Sequence, residues 1–228
     1  MNMRLLRIAA AIAIVLVSAP AVAQGWTEFV SKDDRFTTNF PGAPEVTEST
    51  YKSQFGADLP SRVYSAEKGR ERYSVTVVDY SSIEQQGIER AKSCPPGNAN
   101  CRANAPATLG AGYAHHDERG AIVYATFKLL QRDAKLNQLT WEWQDLVEGH
   151  IVQLTNADQS RTFAWVGMHQ HKLYIVEGTV PGGYPEPGLF QQSMQWIDKD
   201  GKGIRYQTIY SNSFHALGVY PPPGIVGR

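Results

Sequence analysis

The chain has little cysteine and no excess of charge of either sign. Two of its 228 residues are cysteine, and 22 lysines and arginines balance 22 aspartates and glutamates. Because nucleic-acid-binding domains carry clustered Lys and Arg, this even charge distribution gives no electrostatic footprint for a nucleic acid. We therefore expect no nucleic-acid partner.

Motifs for common catalytic chemistries are also missing. The sequence has no G-x-S-x-G nucleophile elbow and no glycine-rich phosphate loop ending in Lys-Ser or Lys-Thr. Glu142 with Asp145, or Asp79 with Glu84, would be carboxylate pairs for sugar hydrolysis, but carboxylates are common on any surface. We expect a protein that is not an enzyme and needs no cofactor.

Apolar runs are short after the first residues of the chain. Arg4 and Arg7 precede an apolar stretch over 8–17, and Ala21-Val22-Ala23 then forms an A-x-A cleavage site. That stretch is shorter than the roughly 20 apolar residues of a membrane-spanning helix. The sequence predicts a signal peptide over 1–23, cleavage near Ala23, no membrane span, and a periplasmic or secreted protein.

The two cysteines are Cys94 and Cys101, separated by six residues. In an oxidising compartment we expect a disulfide that closes a small loop. The alternative is a redox pair or a metal clip, although the spacing is neither C-x-x-C nor that of a zinc knuckle.

Alternating apolar residues and a high aromatic content, with five Trp and eleven Tyr, favour a β-rich body. Strands are expected near 36–40, 46–54, 61–66, 73–80, 139–143, 151–154, 162–168, 173–180 and 204–210. Helices are expected after Ser82, from Asp117 with a stripe at Val123, Phe127 and Leu130, and over 186–197. This order predicts one α+β domain over 24–210, an antiparallel sheet with helices packed on it, and a Pro-rich tail over 211–228.

Three stretches have a familiar pattern. They are Phe36-x-x-x-Phe40-Pro41-Gly42-x-Pro44-x-Val46, the strand over 72–80, and the strand over 173–181 that leads to Phe190-x-x-Ser193. Together they resemble exported bacterial proteins of the PsbP-like superfamily, over residues 26–197. The resemblance implies an α/β/α sandwich and an accessory or binding role, with no shared catalytic residues to carry over.

Two sets of side chains are candidates for a site. Trp141 and Trp143 would face one side of a strand and form a stacking platform for a sugar or aromatic ligand, or else an ordinary sheet-face pair. For a metal, His115 and Glu118 would share a helix face, and His169 and His171 one side of a strand. The alternative for these four is a solvated helix start and two exposed loop histidines.

The sequence thus favours a non-catalytic periplasmic or secreted binding or accessory protein. Its partner would be a protein or a small molecule that the sequence does not identify. One alternative is a metal-binding protein or metal-dependent hydrolase that uses the surface histidines, and another is a structural protein of the cell envelope.

Overall fold

The computed structural model describes residues 25–93, 95–96, 113–212 and 226–227. The predicted signal peptide, Cys94, Cys101 and most of the Pro-rich tail lie outside the described residues. The strands are β1 (Trp26–Ser31), β2 (Phe36–Pro41), β3 (Glu45–Lys52), β4 (Asp58–Lys68), β5 (Glu71–Asp79), β6 (Ala134–Gln144), β7 (Val147–Asn156), β8 (Arg161–His169), β9 (Lys172–Val180), β10 (Gln195–Trp196), β11 (Ile204–Arg205) and β12 (Val226–Gly227). The helices are α1 (Ile83–Lys92), α2 (Tyr113–Leu130) and α3 (Gly188–Gln192).

Seven strands form a large antiparallel sheet in the order β3-β4-β5-β9-β8-β7-β6. Short turns connect all neighbouring strands except β5 and β9, and Gly69 between β4 and β5 has φ +63, which glycine adopts without strain. β1, β2 and β10 form a second sheet, and β11 pairs with β12. β3 and β6 are therefore the two edges of the large sheet.

Apolar side chains cover both faces of the large sheet. On the face toward the small sheet, aromatic residues of both sheets form the core between them, including Phe36, Phe40, Tyr64, Tyr174 and Trp196. The opposite face packs under α2, whose small residues Ala121 and Ala125 let the helix lie close to β7, β8 and β9. Alternation along the central strands produces both layers, because successive side chains point to opposite faces.

The expected α+β domain with an α/β/α sandwich is wrong. The protein is mostly β, and two antiparallel sheets form a β-sandwich. A three-stranded sheet covers the face where the resemblance implies a second helical layer. Aromatic residues of β2 and β10 fill the interface between the two sheets. Aromatic side chains pack well on the pleated surface of a strand, so a sheet can cover this face in place of helices.

The prediction of a helix over 186–197 is also wrong, because the helix spans only Gly188–Gln192. Ser193 ends it by bonding through its hydroxyl to Thr38 Oγ1 at 2.9 Å and to the Asn39 amide at 2.8 Å. Trp196 then joins β10 and donates its indole N–H to the Gln144 carbonyl at 3.0 Å. The strand expected over 204–210 is shorter, spanning Ile204–Arg205.

Asp34 ties the small sheet to the large one. It lies in the turn between β1 and β2 and is 3% exposed. Its carboxylate accepts hydrogen bonds from Tyr64 (2.6 Å), Arg62 (2.8 Å) and Lys172 (3.1 Å). Tyr174 donates to the Asp34 carbonyl at 2.8 Å. One residue of the small sheet's turn therefore contacts both β4 and β9.

We predict that Asp34→Ala lowers the free energy of unfolding by about 3 kcal/mol, because it leaves the charges of Arg62 and Lys172 without their shared carboxylate. Glu48→Ala is the control. Glu48 also pairs with Arg62, but at 3.7 Å and with 83% of its side chain exposed, so its loss should change stability by less than about 0.5 kcal/mol. Urea denaturation measures both, and equal effects would contradict the role of Asp34.

Candidate functional site

Exposed large apolar side chains concentrate on one part of the described surface. Seven of eleven such residues lie on α2, on β6 or between them. We call this set the α2–β6 surface. Its members are Val123, Phe127, Leu130, Leu136, Leu139, Trp141 and Trp143. Contiguous apolar patches of this kind usually mark binding or interaction sites.

A β-bulge places the apolar residues of β6 on one face. Leu136 pairs with Leu154 and Leu139 with Val152, and both partners lie in the core under α2. The register shifts between Leu136 and Gln138, so an extra residue there changes the phase of alternation. Trp141 and Trp143 follow Leu139 on the same face.

The outer face of α2 contributes the remaining apolar residues. Val123, Phe127 and Leu130 follow helical spacing and are 62%, 52% and 36% exposed. The core-facing stripe of the helix is a different one, which includes Ala125 and Leu129. The apolar stripe expected from the sequence is therefore present, but it faces away from the core.

A groove of about 310 Å³ runs between α2 and β6. Ile122 and Val123 form its helical wall, and Trp141 forms the opposite wall. Gly149 contributes backbone to the base of the groove, and its Cβ position lies on the opposite face of the sheet, where a side chain would collide with the Trp165 ring. The other lining residues are polar: Arg119, Glu148, His150 and Asn212.

Two of these polar side chains are held by neighbours. His150 Nδ1 lies 2.9 Å from Thr126 Oγ1, and burial lowers the pKa of His150, with Glu148 opposing the shift. The imidazole is consequently neutral at neutral pH. Ser211 donates its hydroxyl proton to Glu148 at 2.5 Å. The polar side of the groove is thus ordered before a ligand arrives.

Trp141 and Trp143 are both solvent-accessible, with exposed fractions of 52% and 44%. Their rings meet edge to face with centroids 5.3 Å apart. Trp141 lines the groove and Trp143 lies beside it. The pair is therefore not a buried sheet-face pair, and its role in stacking a ligand stays a prediction.

The three candidate metal ligands whose side chains are described, Glu118, His169 and His171, do not meet at one point. The His115 side chain lies outside the described residues. His171 Nδ1 bonds to Glu118 Oε1 at 2.6 Å, on the α2 side of the sheet. His169 is fully buried on the other side, where its Nε2 lies 2.6 Å from the Tyr206 hydroxyl and its ring stacks near Trp196.

A turn separates the two histidines. Simple alternation would place both on one side, but β8 ends at His169, and Gln170 and His171 have φ of 48° and 62°. These left-handed residues rotate His171 toward Glu118. Within the described part of the chain, no three His, Cys, Asp or Glu side chains are arranged to hold a metal.

A larger cleft of about 600 Å³ lies over β4, β5 and β9. Three of its charged side chains already form ion pairs: Arg72 lies 3.5 Å from Glu67, and Glu177 lies 2.5 Å from Arg132. The cleft has no exposed large aromatic side chain among its described lining residues. The α2–β6 groove is therefore the better candidate for a ligand site.

The sequence matches no family model and no curated protein. The resemblance to the PsbP-like superfamily accordingly stays a prediction. Among the described helices, none combines the length and the apolar composition needed to cross a bilayer.

The groove residues beyond Trp141 were not identified from the sequence. Arg119 and Ile122 come from α2, His150 from β7, and Asn212 from the segment that follows β11. No motif joins them, because they meet only when the helix packs on the sheet.

The ion pair of His171 with Glu118 makes stability depend on pH. The hydrogen bond to Glu118 raises the pKa of His171 above its ordinary value of 6.5. Its stabilising effect is fully present below about pH 6.5 and is lost as the pH rises through the raised value. We predict that His171→Ala destabilises the protein more at pH 6 than at pH 9.

Urea denaturation at both pH values measures this difference. His116→Ala, which removes an exposed histidine from the same helix, should show no comparable change between pH 6 and pH 9. A His171→Ala effect that is constant or grows with pH would contradict the prediction.

Proposed function

We propose that this protein is a non-catalytic binding or accessory module that works in the periplasm or outside the cell and holds a small ligand in the α2–β6 groove. One observation carries the proposal. Trp141 keeps about half of its surface exposed at the wall of a groove that also has ordered polar groups. Such a combination of apolar walls and a few placed polar groups is typical of ligand sites.

The groove's dimensions and chemistry define the ligand class. Small-molecule sites occupy about 300–1,000 Å³, so this groove suits a ligand of one or two rings. A flat ring fits between Trp141 and the side chains of Ile122 and Val123. Arg119 supplies a positive charge, and Glu148 and Asn212 supply acceptor oxygens at the polar side. We therefore favour an aromatic molecule that carries both an anionic group for Arg119 and a hydrogen-bond donor for these oxygens.

The polar groups of the groove favour binding over catalysis. His150 is held by Thr126 and Glu148 by Ser211, so each has a fixed partner. A general base needs a free path to a substrate proton and a pKa near the operating pH. The lowered pKa of His150 and its existing contact suit a neutral hydrogen-bonding wall.

We predict that Trp141→Ala weakens binding of 8-anilinonaphthalene-1-sulfonate, an aromatic anion, by about tenfold, because the variant removes one wall of the groove. A fluorescence titration measures the dissociation constant. Tyr184→Ala removes another aromatic side chain, one that is 44% exposed and lies away from the α2–β6 surface, and it should change the constant by less than about twofold. Equal losses in both variants would refute a site at the groove.

Native mass spectrometry of the protein purified from an exporting host, without chelator, tests the function in its compartment. We expect a chain that begins at Gln24, is two hydrogens lighter than the reduced form, and carries an organic adduct that is lost in Trp141→Ala. An adduct that persists in that variant, or a metal in its place, would contradict binding at the groove.

A further inference from the structure

We infer that two copies of this chain pair through β6, so that their large sheets join edge to edge around a two-fold axis at Trp141. This interface goes beyond the proposed ligand site and does not depend on it. The inference uses the open edge of β6, its low charge, its symmetry and the area of its apolar face.

Among the described residues, none pairs with the outer side of β6. Within the described residues, β7 is the one strand that pairs with it. The Trp143 amide donates to the side chain of Glu142 at 3.2 Å instead of to β7. Since antiparallel pairing alternates along a strand, Leu139 and Trp141 also direct their backbone groups outward. These groups match those that a further antiparallel strand would need.

The two edges of the large sheet differ in their protection. β3 carries Glu45, Glu48 and Lys52 and exposes one large aliphatic side chain, Val46. Charged side chains of this kind prevent edges from pairing. Between 138 and 144, β6 has a single charge, on Glu142. A long edge strand with so little charge favours pairing with another strand.

The sequence of β6 is complementary to itself. The bulge before Gln138 limits regular pairing with a second copy to residues 138–144. If all of these residues pair in an antiparallel arrangement, the two-fold axis passes through Trp141. This arrangement places Trp141 opposite its own copy and Leu139 opposite Trp143, all on the apolar face. On the other face, Thr140 lies opposite Glu142. No like charges oppose each other, which favours a second copy as the partner.

The apolar face of β6 suits a weak, concentration-dependent dimer. From their exposed fractions, its four apolar side chains expose roughly 400 Å² in each copy. Interfaces that bury less than about 1,200 Å² in total belong to weak, transient complexes. The α2 helices of both copies would border the joined strands.

Sedimentation velocity of the exported protein from 1 to 200 μM tests the inference. We expect a concentration-dependent dimer, and we expect Leu139→Lys to weaken association at least tenfold, because each Lys would face Trp143 of the other copy. Val46→Lys is the matched control, since it introduces the same charge at a similarly exposed aliphatic position on the opposite edge. It should leave the dimer unchanged.

Hydrogen exchange of the unmodified protein gives a second readout that needs no variant. The amides of 138–144 should exchange more slowly as concentration rises, while those of β3 should not change. A monomer over the whole range, or a dimer that Val46→Lys disrupts and Leu139→Lys does not, would overturn the inference. Neither Leu139 nor Val46 lines the groove, so dye binding by Leu139→Lys remains a separate test of the ligand site.

Discussion

The arrangement of the two sheets depends on one buried carboxylate. Asp34 sits in a turn of the small sheet, and its partners Arg62 and Lys172 belong to β4 and β9 of the large sheet. A carboxylate at 3% exposure is tolerated only where donors surround it. This requirement fixes how β1 and β2 lie on the large sheet, and it brings Phe36 and Phe40 against the aromatic core.

Local patterns determine the strands, and tertiary contacts determine where other segments end. Alternation predicts β5 and β9 well because buried and half-buried side chains alternate along both strands. Phe190, Met194 and Ile197 have helical spacing, yet Ser193 bonds to β2 and Trp196 enters the core. A partner far away in sequence decides this outcome. Because local patterns do not reveal such distant partners, the sequence predicts a second helical layer where the structure has a sheet.

In the candidate site, too, local patterns predict some features and tertiary contacts determine the others. Alternation predicts that Trp141 and Trp143 share a face, but their exposure depends on how far α2 extends across the sheet. The bulge that brings Leu136 to that face has no clear sequence marker. His150 and Asn212 join the groove through packing alone. The sequence therefore identifies the aromatic wall of the groove and leaves its polar side undetermined.

Ligand binding and pairing of two copies would both result from the same feature, an edge strand β6 that α2 leaves uncovered. α2 packs over β7, β8 and β9, while most residues of β6 remain exposed. Exposed tryptophans add nothing to core packing, and an edge strand with as little charge as β6 has between 138 and 144 increases the risk of aggregation. The inner border of the uncovered strip, between Trp141 and α2, has the volume and polar groups of a ligand site. Its outer border, where Leu139 and Trp141 direct backbone groups away from β7, has the symmetry of an interface. A second copy on the outer border would shield the tryptophans from nonspecific contacts and leave the groove to its ligand.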